Sequence, residues 1–171
     1  MPKNLAELAQ RGKDHILMVR LLEEATKKQA ARLALQIEHS WSYSRSNTAT
    51  ETKDGTINAP GGLATTLNLT AISTNDDVNK MLKQSVIEGK KVEFWDIDLS
   101  SYDESTKKCK AVYAQGSLES WEIPKPVADY INISTTANID GTPQEGEVTL
   151  DPTQVDQILY AFRDITAYTE A

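Results

Sequence analysis

Polar and apolar residues alternate one by one along three separate stretches of the chain. Serines occupy every second position at Ser40, Ser42, Ser44 and Ser46, against His39, Trp41, Tyr43, Arg45 and Asn47. Ala64, Thr66, Asn68 and Thr70 alternate with Leu63, Leu67 and Leu69, and Asn132, Ser134, Thr136 and Asn138 with Ile131, Ile133 and Ile139. Successive side chains of a strand point to opposite faces, so each stretch predicts a strand with one face of short, uncharged polar groups. Taken singly, such a stripe is an ordinary wetted sheet face, since Thr favours strands and Ser fits where packing is light. Solvent faces usually mix in Lys and Glu, which block edge pairing. Their absence from three stretches sets these apart.

The remaining pattern places further elements around them. His15 to Leu22 is apolar and predicts a first strand. The charged run Glu23–Ala31 predicts a loop or a short helical turn, followed by a long strand from about Arg32 to Asn47. Asp54-Gly55 marks a hairpin turn, where Gly accepts a positive φ, and Pro60-Gly61-Gly62 predicts a break before the strand Leu63 to Ser73. Val78, Met81, Leu82 and Val86 form one apolar stripe of a helix over about 75–89. Thr74 or Asn75 is its expected cap, Asp76 and Asp77 favour its N-terminus, and Gly89 stops it. Val92 to Leu99 and Lys110 to Ile123 predict strands, the second bent at Gly116 and ended by Pro124 and Pro126. Tyr130 to Asp140 and Glu147 to Leu150 flank Gly141-Thr142-Pro143 and predict a final hairpin. Asp151-Pro152 then opens a helix with Val155, Ile158, Leu159 and Phe162 as its stripe. The expected organisation is an N-terminal arm over 1–12, a β domain over 13–150, and a C-terminal helix and tail over 151–171. The fold class is mainly β: an antiparallel sandwich or partly open barrel with one helix between strands and another at the end.

Composition narrows the function classes. The chain has 171 residues, enough for one domain with a real core. No stretch approaches the roughly 18 apolar residues that span a bilayer, and no apolar run follows Lys3, Arg11 and Lys13 as a secretory signal would require. The single cysteine, Cys109, has no disulfide partner within the chain and fits a reducing compartment. A net charge of −7 argues against a nucleic-acid binder, which carries a basic patch. It suits a conduit that must not hold nucleic acid, because several Lys or Arg contacts would trap the phosphates.

Candidate chemistry is sparse. His15 and His39 lie in separate strands without metal-ligand spacing, and Asp96 and Asp98 share one strand face as a solvated acidic patch. Asp140, Glu145 and Glu147 surround a glycine turn without matching a calcium loop. There is no phosphate-binding glycine loop and no nucleophile elbow. No catalytic constellation is legible, so the expected function is non-enzymatic, with neither cofactor nor metal.

The segments HSWSYSRS (39–46), ETKDGTIN (51–58), NDDVNKMLKQSVIEGKKVEFWDIDLS (75–100), YAQGSLESWEIP (113–124) and DGTPQEGEVTL (140–150) resemble the major tail protein, or tail tube protein, of long-tailed, non-contractile phages and prophages of Gram-positive bacteria. The resemblance runs from about residue 14 to 150. It implies a β-sandwich-like subunit made in the host cytoplasm and assembled in the virion as stacked hexameric rings. The implied tube houses a tape-measure protein, meets tail terminator and distal tail or baseplate proteins, conducts double-stranded DNA at ejection and has no membrane partner. Such proteins sometimes carry a further C-terminal surface domain, for which the sequence after residue 150 is too short. On that reading Ser40, Ser42, Ser44, Ser46, Thr66, Asn68, Thr70, Asn132, Ser134, Thr136 and Asn138 are candidates for the tube's inner wall. Glu51, Thr52, Lys53, Asp54 and Gly55, with the Glu23–Ala31 loop, are candidates for ring-to-ring contacts. The alternative class is a carbohydrate-binding β-sandwich that stacks a sugar on Trp41, Trp95 or Trp121.

Overall fold

A computed structural model describes residues 9–159. Most of the expected N-terminal arm, the stripe residue Phe162 and the tail after Thr166 lie outside the described residues. The strands are β1 (His15–Leu21), β2 (Ala31–Arg32), β3 (Gln36–Thr52), β4 (Gly55–Ile72), β5 (Val92–Asp103), β6 (Lys108–Leu118), β7 (Asn132–Ile139) and β8 (Gln144–Thr149). The helices are α1 (Asp77–Glu88) and α2 (Pro152–Leu159). All eight strands belong to one antiparallel sheet in the order β2-β1-β5-β6-β7-β4-β3, with β8 also paired to β6. The Glu23–Ala31 run is a short turn of helix and a loop, tied down by Lys28–Glu24 and Lys90–Glu23 ion pairs.

The sheet curls until its two ends meet, giving the expected partly open barrel. Where β3 begins, the Gln36 side chain substitutes for a backbone ladder. Its Oε1 accepts from Leu17 N–H at 2.9 Å, and its Nε2 donates to Leu17 O at 2.7 Å. A primary amide carries the same donor and acceptor as a peptide group, so one side chain can pair with a strand edge. Inside the curl, Leu17, Val19, Leu67, Leu69, Phe94, Leu118 and Ile133 form the main core, joined by Leu82 of α1. On the other side of β1, Ile16 and Met18 join Ile97, Cys109, Ala111 and Leu150 in a second, smaller core. This is why β1 reads as continuously apolar: both of its faces are covered.

Local chemistry explains the helix boundaries. The cap of α1 is Asp76, not Thr74 or Asn75: its Oδ1 accepts from Asn79 N–H at 2.8 Å, and Thr74 donates to its other oxygen at 2.7 Å. A carboxylate there meets both the free N–H groups and the positive end of the dipole. Gly89 closes the helix at φ 68°, a left-handed conformation that favours glycine. At α2, Asp151 Oδ1 accepts from Gln154 N–H at 2.8 Å while Gln154 Oε1 accepts from Asp151 N–H at 3.1 Å, a reciprocal capping box. Val155 packs on the smaller core.

β3 spans Gln36–Thr52 rather than about 32–47, and β5 runs on to Asp103 rather than ending at Leu99. Three further features differ from the sequence reading. Pro60-Gly61-Gly62 does not break the chain: β4 runs unbroken through it for 18 residues. Before Thr65, β4 is paired with β3 alone, so a proline there need not cost a sheet hydrogen bond. The glycines absorb one extra residue between the Arg45–Leu63 and Asn47–Pro60 pairs. The second difference is β6, which ends at Leu118; beyond it a single bridge joins Glu122 to Ser134. Finally, β7 and β8 do not form a hairpin. Both pair with β6, β8 along residues 108–113 and β7 along 116–118, so they run end to end on one edge. Gly116 sits between the two partners, where a Cβ would overlap the backbone oxygen of Asn138.

Candidate functional site

The three polar stripes form one surface. Register places Ser42, Thr66, Asn138 and Ser117 side by side across β3, β4, β7 and β6. The next row is Ser40, Asn68 and Thr136, then Thr70 beside Ser134, with Asn132 beyond at the start of β7. Ser44 faces Ala64, and Ser46 lies opposite the glycine bulge. The four serines, Asn68, Asn132, Ser134 and Asn138 are exposed, while Thr66, Thr70 and Thr136 are half-buried. Thr136 Oγ1 donates to Asn68 Oδ1 at 2.8 Å, one of the cross-strand bonds that hold these short side chains flat. The opposite face of the same strands carries Leu67, Leu69, Ile133 and Ala137 into the main core with α1. The hydroxyl rows therefore lie on the side away from the helix. Ser117 completes the first row and was missed in the sequence because no alternating stripe surrounds it. Two acidic side chains, Glu38 and Glu119, border the patch, and Glu119 Oε2 accepts from Asn138 Nδ2 at 3.3 Å, while at the glycine bulge the Arg45 guanidinium donates to Gly61 O at 2.8 Å.

Beyond this patch β3 and β4 continue as an arm. Every residue from Ser42 to Pro60 is exposed. At its tip Thr52 pairs with Gly55 around Lys53-Asp54, Thr52 Oγ1 donates to Gly55 O at 2.7 Å, and Gly55 has φ 123°. A short loop with a glycine at positive φ is what lets so long a hairpin reverse tightly. Glu51, Thr52, Lys53, Asp54 and Gly55 are thus gathered at one extremity of the molecule.

The acidic and histidine residues behave differently from the sequence reading. Asp96 is buried rather than solvated, and it joins His15 and His39 into one cluster. Its Oδ1 lies 3.1 Å from His15 Nδ1 and 3.2 Å from His39 Nε2, and its Oδ2 accepts from Trp41 Nε1 at 2.9 Å. Burial works to raise the Asp96 carboxyl, but the hydrogen bonds from His39 and Trp41 and the histidine charges outweigh it and hold it below the usual range. Asp98, by contrast, accepts from Ser100 at the sheet surface. A second network joins Arg20 Nε to Glu93 at 2.7 Å and Tyr113 OH to the other Glu93 oxygen at 2.6 Å, with the Arg20 guanidinium 5.0 Å over Trp95. Burial and the Glu93 hydrogen bond raise the Tyr113 phenol. Both networks tie strands together across the sheet. Among the described residues, no group of three or more His, Cys, Asp or Glu side chains is placed to hold a metal ion. The tryptophans are packing groups: Trp41 and Trp121 lie against the main core and Trp95 against the smaller one. Trp41 and Trp121 thus share one core, and Trp95 sits on the other.

Comparison with known proteins agrees with this architecture. The fold is similar to the SPP1 tail tube solved by solid-state NMR and cryo-EM, at a TM-score of 0.70 and 21% identity over 95% of this chain and 91% of that one. It is also similar to the tail of an empty GTA particle refined with C6 symmetry, at a TM-score of 0.62 and 15% identity over 80% and 98% of the two chains. The virion of a native gene transfer agent gives a TM-score of 0.58 and 14% identity over 81% and 99%. At these identities the likeness establishes the fold. No curated protein sequence matches the chain. In sequence, residues 9–145 match the phage tail tube protein family, and that span, covering most of the β-sheet and the whole neutral face, makes this chain a member of it.

Proposed function

We propose that copies of this chain close into hexameric rings, stack into the tube of a long non-contractile tail, and present the neutral face of β3, β4 and β7 to the bore. The observation that carries this reading is the registered alignment of three hydroxyl and amide stripes on one exposed face, opposite the helix. A bore that passes DNA needs a wall that wets, stays short and does not bind phosphate, and Ser, Thr and Asn meet all three needs. The acidic margin at Glu38 and Glu119 works in the same direction. Ring closure by head-to-tail contacts would also cover the strand edges that a lone copy exposes. Six-fold closure is supported by the fold shared with the GTA tail refined in C6 symmetry. In this role the tube holds a tape-measure protein before ejection, is bounded by terminator and distal tail proteins, and lets double-stranded DNA pass afterwards.

The test is to change the wall without changing the fold. Ser42→Lys, Thr66→Lys and Thr136→Lys each place six cations per ring, repeated in every ring, along the proposed bore. Tubes should assemble as in the wild type under negative-stain microscopy, while DNA release from particles slows or stops. Particles with these variants that infect normally place the wall elsewhere.

A further inference from the structure

The exposed arm needs a surface to land on, and the opposite end of β4 supplies one. β4 is 18 residues long, so its contour reaches about 60 Å. The hairpin tip lies at its start. At its end, Ser73 N–H donates to Ile131 O at 2.7 Å, and Glu122 bridges to Ser134, which fixes the segment between β6 and β7 beside that end. Every residue from Pro124 to Tyr130 in that segment is exposed. Val127 is fully exposed and Tyr130 is 74% exposed, the two highest values among the exposed large apolar residues. Exposed apolar side chains concentrated on one loop mark an interaction surface. Pro124 and Pro126 preset their backbone φ, so ordering this loop against a partner costs little entropy. Among the described residues its backbone makes no backbone–backbone hydrogen bond, and Tyr130 N–H donates to Asp129 Oδ1 at 2.8 Å.

On the stacking reading, we infer that the Pro124–Tyr130 loop is the docking surface for the hairpin tip of a second copy of this chain in the next ring. A head-to-tail stack must bring one pole of the subunit onto the other, and these segments lie at opposite ends of one strand. Their chemistry matches. Ile57, 62% exposed beside the tip, offers apolar surface to Val127 and Tyr130. Lys53 complements Asp129, and Glu51 and Asp54 complement Lys125, so opposite charges are available on the two segments.

Cysteine cross-linking tests the contact directly. Native Cys109 is buried, and burial raises its thiol, so it stays silent towards a bis-maleimide. Tubes co-assembled from Lys53→Cys and Val127→Cys copies should yield cross-linked dimers, and the double variant a ladder of multimers. Neither single variant alone should give a product. Long tubes without dimers would overturn this docking surface and leave stacking intact. Failure of the wild-type protein to form tubes at rising concentration would overturn the stacking reading itself. As an independent measure, the pair Val127→Asp and Tyr130→Asp should leave circular dichroism unchanged and raise the concentration needed for tubes by about tenfold or more. Tubes forming at the wild-type concentration would refute the inference.

Discussion

Asp96 meets His15 from the neighbouring β1, and His39 and Trp41 because the curl of the sheet brings β3 back to β5; a buried carboxylate is tolerated only when its oxygens are occupied. Replacing it with alanine would strand the His15, His39 and Trp41 N–H groups. Asp96→Ala should therefore lower the unfolding free energy by about 2–4 kcal/mol, measured by denaturant titration at neutral pH. The pH dependence has a defined sign. The folded carboxyl lies below the free aspartate value of about 3.9, so on acidification the unfolded chain takes up the proton first. Its stabilisation is present above about pH 4 and is lost as pH falls through the folded value. The stability gap between wild type and Asp96→Asn should be widest near neutrality and narrow below that pH. A gap that stays constant down to pH 3 would assign the cluster's stability to packing alone.

At the scale of elements, two glycines do work that no side chain could. Gly116 lets β6 exchange β8 for β7 as its neighbour, and Gly61 lets β4 carry its extra residue against Ser46. Gly116→Ala should destabilise the protein by about 1–3 kcal/mol through overlap with the Asn138 backbone. Gly62→Ala is the matched control: a Cβ there meets nothing within 4 Å, and its stability should stay within about 0.5 kcal/mol of wild type. Thermal melts of the two variants separate close approach from a general cost of alanine in these strands.

For the whole molecule, the arm is the part whose removal the core should not feel. Because residues 42–60 are exposed along both faces, deleting 49–57 removes no core contact. The deletion should leave folded monomers or rings, seen by size exclusion and negative stain, but no long tubes. Long tubes surviving it would show that stacking does not use the hairpin.

Much of this architecture was legible in the residue pattern. The alternating stripes at 40–46, 64–70 and 132–138 gave the strands and the sidedness of each, and the Val78–Val86 spacing gave α1. The exact cap was less legible, because Thr74, Asn75 and Asp76 are all good caps and only the bond to Asn79 selects one. The expected hairpin after β7 failed because Gly141-Thr142-Pro143 is a valid turn signal, while the pairing of β7 and β8 depends on β6. His15 and Asp96 are 81 residues apart and carry no shared motif. By itself the sequence determined what local covalent geometry controls: which residues share a strand face, where a helix begins and stops, and that a neutral face would exist. Only the tertiary structure decided which strands are neighbours, that the three stripes merge, and that Asp96 meets two histidines. Pairing and register are set by the burial of residues distant in the chain, and no local pattern encodes that.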